Sequence, residues 1–162
     1  MDYDALLRSL EATGFATAIR EGESLFPWVE SFHVLAITLV VGSIAIVDLR
    51  LIGLASRDRS IVRLASEVLP CTWTAFGVAA VTGALLFSSN AFTYAHNAYF
   101  QAKLATLVLA GVNMAVFNLF VGQAADSRGA RIAGAVSLLL WICVVVFGRW
   151  TGFTLHPTPL AS

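Results

Sequence analysis

Four long apolar segments alternate with short polar connections along this chain of 162 residues. A hydrocarbon core of about 30 Å requires about 20 helical residues, and each segment meets that length. Spanning strands would require a closed barrel instead. The pattern therefore predicts an all-α fold, a transmembrane four-helix bundle whose helices run up and down in turn. The predicted spans are about 27–54, 70–88, 99–121 and 131–153.

The first 25 residues differ from the spans, because their apolar residues recur among polar ones at helical spacing. These apolar residues are Leu6, Leu7, Leu10, Phe15 and Ile19. They predict an N-terminal amphipathic helix lying on the membrane surface, with a solvated arm as the alternative. We expect no secretory signal, because Asp2 and Asp4 replace its positive first region. The predicted division is an arm (1–25), a transmembrane domain (26–156) and a C-terminal tail (157–162).

Composition supports a membrane setting: 58% of the residues are hydrophobic and 12% are charged. Soluble domains have roughly 45–50% apolar and about 25% charged residues. The formal net charge is zero and no basic patch appears, so we expect lipid as the surroundings and no nucleic-acid partner. Cys71 and Cys143 lack CxxC spacing and are expected to be buried thiols that act as small hydrophobes.

Arginine and lysine in the connections predict the orientation, because such residues accumulate on the cytoplasmic side. Six of the ten basic residues lie around two connections: Arg50, Arg57, Arg59, Arg63, Arg128 and Arg131. The connection 89–98 has none. We therefore expect a bacterial inner-membrane protein with both termini in the periplasm.

This orientation brings polar residues of different spans to the periplasmic side. They are His33, His96, His156, Lys103, Arg149 and Trp150. Ionisable residues within spans normally face the bundle interior and indicate a functional path. A b-type haem requires axial side chains, usually histidine, and cations for its propionates. His33 would be the main axial ligand, His156 or His96 the second, and Lys103 and Arg149 the propionate partners beside Trp150.

Three other interpretations of His33 stay open at this stage. Glu30 lies one turn from His33, so a copper or zinc site could form with the other histidines. Glu30, His33 and Asp48 could relay protons along one face of the first span, although Asp48 could equally form a salt bridge to an arginine. The third interpretation is a structural or assembly protein without a cofactor, in which His33 is a hydrogen-bonded core residue.

Four stretches carry a resemblance to a family: ESFHVLAITLVVGSIAIVDLRLIG, TGALLF, FQAKLATLVLAGVN and GRW. The chain resembles an uncharacterised group of small bacterial four-span membrane proteins. That group is broadly similar to the four-helix membrane domains of b-type cytochromes and of copper-resistance-type membrane proteins. The resemblance implies a haem-binding or redox-linked role for His33, Lys103 and Arg149. Four-helix cytochromes of the di-haem kind use four histidines within spans, two for each haem. This chain has three histidines in all, so one haem per subunit is the most that we expect.

These observations together predict a membrane b-type haem protein with the haem near the periplasmic face. It would transfer electrons as a cytochrome b-type oxidoreductase, with quinone or a periplasmic redox protein as its partner. Small residues at Ala75, Ala79 and Gly83 allow close helix packing and predict a homo-oligomer.

Overall fold

The computed structural model describes residues 2–55, 60–117, 119 and 127–155, and these residues form helices and no strand. The helices are α1 (Tyr3–Glu11), α2 (Gly14–Glu21), α3 (Leu25–Ile52), α4 (Ile61–Ser89), α5 (Ala91–Ala95), α6 (Ala98–Val116) and α7 (Arg128–Thr154). Four of them, α3, α4, α6 and α7, are long and apolar enough to cross a membrane. The all-α four-helix prediction is confirmed, and the chain is a multi-pass membrane protein.

Polar side chains and one glycine set where the spanning helices begin and end. Ser60, Asn97 and Ser127 accept hydrogen bonds from backbone N–H groups in the first turns of α4, α6 and α7. Such caps satisfy donors that have no partner within the helix. Gly53 ends α3 with a φ of 85°, a left-handed conformation that glycine adopts without steric cost.

Helix α4 begins at Ile61, nine residues before Pro70, which the sequence indicated as the start of the second span. Its first turns mix apolar and charged residues and include an ion pair of 3.2 Å between Arg63 and Glu67. Pro70 lies inside the continuous helix, which transmembrane helices tolerate. The third span was predicted to reach residue 121, and residues 120–126 lie outside the described part of the chain.

Helix α3 is central, because it packs against both α4 and α7, while α6 packs against α7. The α3–α7 contact is close at Gly134, where an added Cβ would lie 2.9 Å from the Cβ of Leu51. Within the described residues the backbones of α4 and α6 do not approach each other closely. These two helices meet through the stacked rings of Phe87 and Phe100, whose centroids are 5.5 Å apart.

The arm forms two short helices, α1 and α2, where the sequence indicated a single one. Leu7 and Ile19, one from each helix, are buried inside the protein. Leu6, Leu10 and Phe15 remain exposed. Each short helix therefore has one apolar side against the bundle and one that is free to contact lipid.

Two hydrogen bonds attach the arm to the bundle. The Glu11 carboxylate accepts from the backbone N–H of Phe92 at 2.8 Å. The Arg20 guanidinium donates to the Ser89 carbonyl at 3.3 Å. We call the end of the bundle that carries α1, α2 and α5 the arm end, and the end that carries Ile52, Ile61 and Arg128 the opposite end.

Candidate functional site

His33 lies about two turns into α3, on the side that faces α4. Its Nδ1 is 3.0 Å from the Thr82 hydroxyl oxygen. That hydroxyl donates its own proton to the Val78 carbonyl at 2.7 Å, so it must accept from an Nδ1–H of His33. The hydrogen-bond network thus places a proton on Nδ1, so the neutral form of the ring is the tautomer with its lone pair on Nε2.

Gly83 provides the space that the His33 imidazole occupies. A Cβ at residue 83 would lie 2.9 Å from Cε1 and 3.5 Å from Nδ1 of the ring. Real Cβ atoms do not approach a neighbour this closely, so an alanine would displace the ring. The small-residue stripe of α4 therefore both packs against α3 and determines where the imidazole lies.

Lys103 enters the same half of the bundle from α6. Its Cδ, Cε and Nζ atoms each lie 3.7 Å from the position of a Cβ on Gly148, so the side chain runs across α7. The ammonium is close enough to His33 for the two groups to interact electrostatically. Within the described part of the chain Lys103 has no carboxylate partner. The interior near the arm end therefore holds a half-buried lysine, without a carboxylate partner among the described residues, beside the His33 imidazole.

His96 belongs to a different set of contacts. Its Nδ1 is 2.9 Å from the Phe92 carbonyl, and its Nε2 is 3.4 Å from an Asp4 carboxylate oxygen. Its ring also packs against that of Phe92, with 4.5 Å between the centroids. The Nδ1 contact thus lies within the α5 turn itself, and only Nε2 links this turn to α1.

Arg149 and Trp150 are exposed, in contrast to Lys103. The Arg149 guanidinium lies over the ring of Phe153 at 4.5 Å, and the Trp150 side chain faces outward with 49% of its surface exposed. Neither residue forms a hydrogen bond with His33 among the described residues. His156, the other possible second ligand, lies outside the described residues.

Aromatic rings close the arm end between α4 and α6. The centroid of the Tyr94 ring on α5 lies 5.4 Å from that of Phe100 and 6.3 Å from that of Phe87. Burial, and secondly the charge of Glu30, raise the pKa of the Tyr94 phenol above its ordinary value. The phenol therefore stays neutral and keeps its proton as a hydrogen-bond donor at neutral pH.

A metal site built from several side chains is not found in the described ranges. No group of three or more His, Cys, Asp or Glu side chains lies together there. Cys71 and Cys143 are free thiols on different helices, and Cys71 is exposed, which differs from the buried position expected for it. The copper or zinc interpretation would thus need ligands from the rest of the chain or from a second copy.

Comparison with known proteins gives one family match. The model of a family of unknown function (DUF6644) matches residues 18–154, which include all four spans and the His33–Lys103 site. No curated protein and no solved structure matches the chain.

Proposed function

This chain belongs to the DUF6644 family of unknown function, and from its arm-end site we propose that it binds one b-type haem and transfers electrons within a membrane. One observation carries the proposal: an imidazole held through Nδ1 by Thr82 lies within electrostatic range of a lysine that has no carboxylate partner among the described residues. A histidine oriented through its other nitrogen is the usual form of a haem or metal ligand.

Each residue of the site would have a separate task. His33 would bind iron through Nε2, while Thr82 fixes the ring orientation through Nδ1. Lys103 would neutralise a propionate, which is the anionic part of the group. Gly83 would keep the imidazole in place by leaving room for its edge. The haem itself supplies one-electron chemistry.

The second axial position is proposed for His156, either of the same chain or of a neighbouring copy in a homo-oligomer. His96 is a weaker choice, because both of its nitrogens already have partners. Arg149 and Trp150 are left out of the proposed site, since both are exposed and the Arg149 guanidinium lies over the Phe153 ring.

We further propose a bacterial inner membrane as the location, with both termini in the periplasm. The support is the excess of arginine around the two connections at the opposite end, since basic residues favour the cytoplasmic side. The site would then be near the periplasmic face, where quinone in the outer leaflet or a periplasmic redox protein could exchange electrons with it.

Absorption spectroscopy tests the proposal directly. Protein purified from haem-replete cells should show a Soret band that shifts on reduction with dithionite. His33→Ala should abolish the band, and Thr82→Val should weaken haem retention about 10–100-fold, the usual effect of losing a partner behind a ligand. Lys103→Met should retain the band but release haem faster.

His96→Ala is the matched control, because it removes a histidine from the same end without touching His33. It should leave the spectrum unchanged. A colourless wild-type protein, or an unchanged band in His33→Ala, would refute the haem proposal. A colourless protein would favour the structural interpretation, in which His33 serves only to join α3 to α4 through its hydrogen bond to Thr82.

A further inference from the structure

A buried carboxyl group lies in the half of the bundle away from His33. Asp48 is on α3, fifteen residues after His33, or about 22 Å along the helix axis. Its residue surface is 4% exposed. The Ser137 hydroxyl on α7 is positioned to donate to this carboxyl, whereas Oδ2 has no hydrogen-bond partner.

The described positive groups near this end do not form an ion pair with Asp48. Arg50 is two residues further along α3 and projects about 160° away around the helix. On α4, Arg63 forms an ion pair of its own at the surface. Arg128 and Arg131 on α7 are exposed. Among the described residues, none of these arginines forms an ion pair with Asp48.

The close contact between α3 and α7 also argues against a bound cation as the partner of an ionised Asp48. At Gly134 an added Cβ would lie 3.1 Å from the Asp48 carbonyl oxygen and 2.9 Å from the Leu51 Cβ, so α3 and α7 are in contact here. A divalent cation such as Ca²⁺ or Mg²⁺ takes about six or more oxygen ligands. The described residues offer one carboxyl and one hydroxyl at this position.

We propose that Asp48 is a proton-binding site. An ionised carboxylate in this apolar contact would be costly, whereas a neutral carboxylic acid can accept from Ser137 and carry its proton on the unpartnered oxygen. The acid releases this proton to water, leaving a carboxylate, only when the α3–α7 contact opens and hydrates the group. The site would thus link proton release to separation of two helices. The inference does not depend on haem binding.

Infrared spectroscopy in lipid nanodiscs measures the proton directly. Wild-type protein at neutral pH should show the carbonyl band of a neutral carboxylic acid, shifted in D₂O. Asp48→Asn, which preserves shape and hydrogen bonding, should abolish the band and leave the helix content unchanged. Glu67→Gln removes a carboxyl from the surface of α4 and should leave the band intact.

Thermal unfolding at increasing pH provides a second measurement. The melting temperature of the wild type should fall as pH rises, because the folded state holds a proton that the unfolded state loses. Asp48→Asn should remove this part of the pH dependence. Absence of an Asp48-dependent acid band in folded protein would overturn the proposal. So would a melting temperature that responds to sodium rather than to pH, since a metal cation would then occupy the site.

Discussion

Replacing Gly83 with alanine tests the position of His33 more directly than any change to the histidine itself. The substitution adds one methyl group to α4 at a point where the imidazole leaves no room. The new Cβ would lie 2.9 Å from Cε1 and 3.5 Å from Nδ1 of His33, so the ring must move by several tenths of an ångström. We expect this movement to break the 3.0 Å hydrogen bond to Thr82.

The free energy of unfolding should fall by about 0.6–2.6 kcal/mol. Overpacking in a close contact costs about 1–3 kcal/mol. Loss of an interhelical hydrogen bond in a membrane adds about 0.6 kcal/mol. The higher helix propensity of alanine offsets about 1 kcal/mol of this cost.

Gly77→Ala is the matched control, because it makes the same change on the same helix with no heavy atom within 4 Å of the new Cβ. It should be neutral or should stabilise the protein by up to about 1 kcal/mol. Unfolding of both variants by SDS in mixed micelles, followed by circular dichroism, gives the comparison. His33→Ala added to Gly83→Ala should recover part of the loss, because the small side chain removes the clash.

Equal shifts in the two glycine variants would refute the reasoning, since an added Cβ would meet the imidazole at residue 83 but not at residue 77. A destabilised Gly83→Ala that His33→Ala does not relieve would also contradict it. The cause would then be some other neighbour of α4.

Two further predictions concern the arm end. Glu11→Ala removes the acceptor for the Phe92 N–H and should cost about 1.5–3 kcal/mol of arm docking, seen as faster tryptic cleavage after Arg20; an unchanged cleavage rate would mean that the arm is held by other contacts. The pKa of Tyr94 is raised, so phenolate absorbance should appear above the ordinary value of about 10, and stability present below that pH should be lost as pH rises further. Glu30→Gln should lower the pKa of Tyr94, because it removes the negative charge that is the second cause of the rise. An unchanged Tyr94 pKa would exclude Glu30 as a cause.

Hydropathy and length are sufficient to predict the spans, because a membrane imposes both on every spanning helix. The start of α4 is a feature that hydropathy and length did not predict. Pro70 suits a first helical turn and stands at the beginning of the apolar run. The helix nevertheless begins at Ile61, where Ser60 caps it. Aqueous turns of a helix are set by caps and ion pairs rather than by hydropathy, so the apolar pattern missed them.

Pairing between helices is harder to predict than depth in the membrane. The sequence placed His33, His96 and Lys103 on one side, and the structure brings only His33 and Lys103 together. Depth is one coordinate, whereas position around the bundle depends on contacts between distant segments. Thr82 was missed, although it lies about as far from the end of α4 as His33 lies from the start of α3. Antiparallel neighbours with such spacing meet at equal depth.

The attachment of the arm has a consequence for the order in which the chain assembles. Glu11 and its partner Phe92 are separated by 81 positions, and Arg20 and Ser89 by 69. At about 5–20 residues per second, a ribosome needs about 4–16 seconds to make the intervening chain. Throughout that interval α1 has no docking surface and α2 has only its contact with α3, since α4 and α5 form the rest. The first helices to be synthesised are therefore bound to the protein only after α3 and α4 are both in the membrane, so the arm closes the bundle instead of starting it.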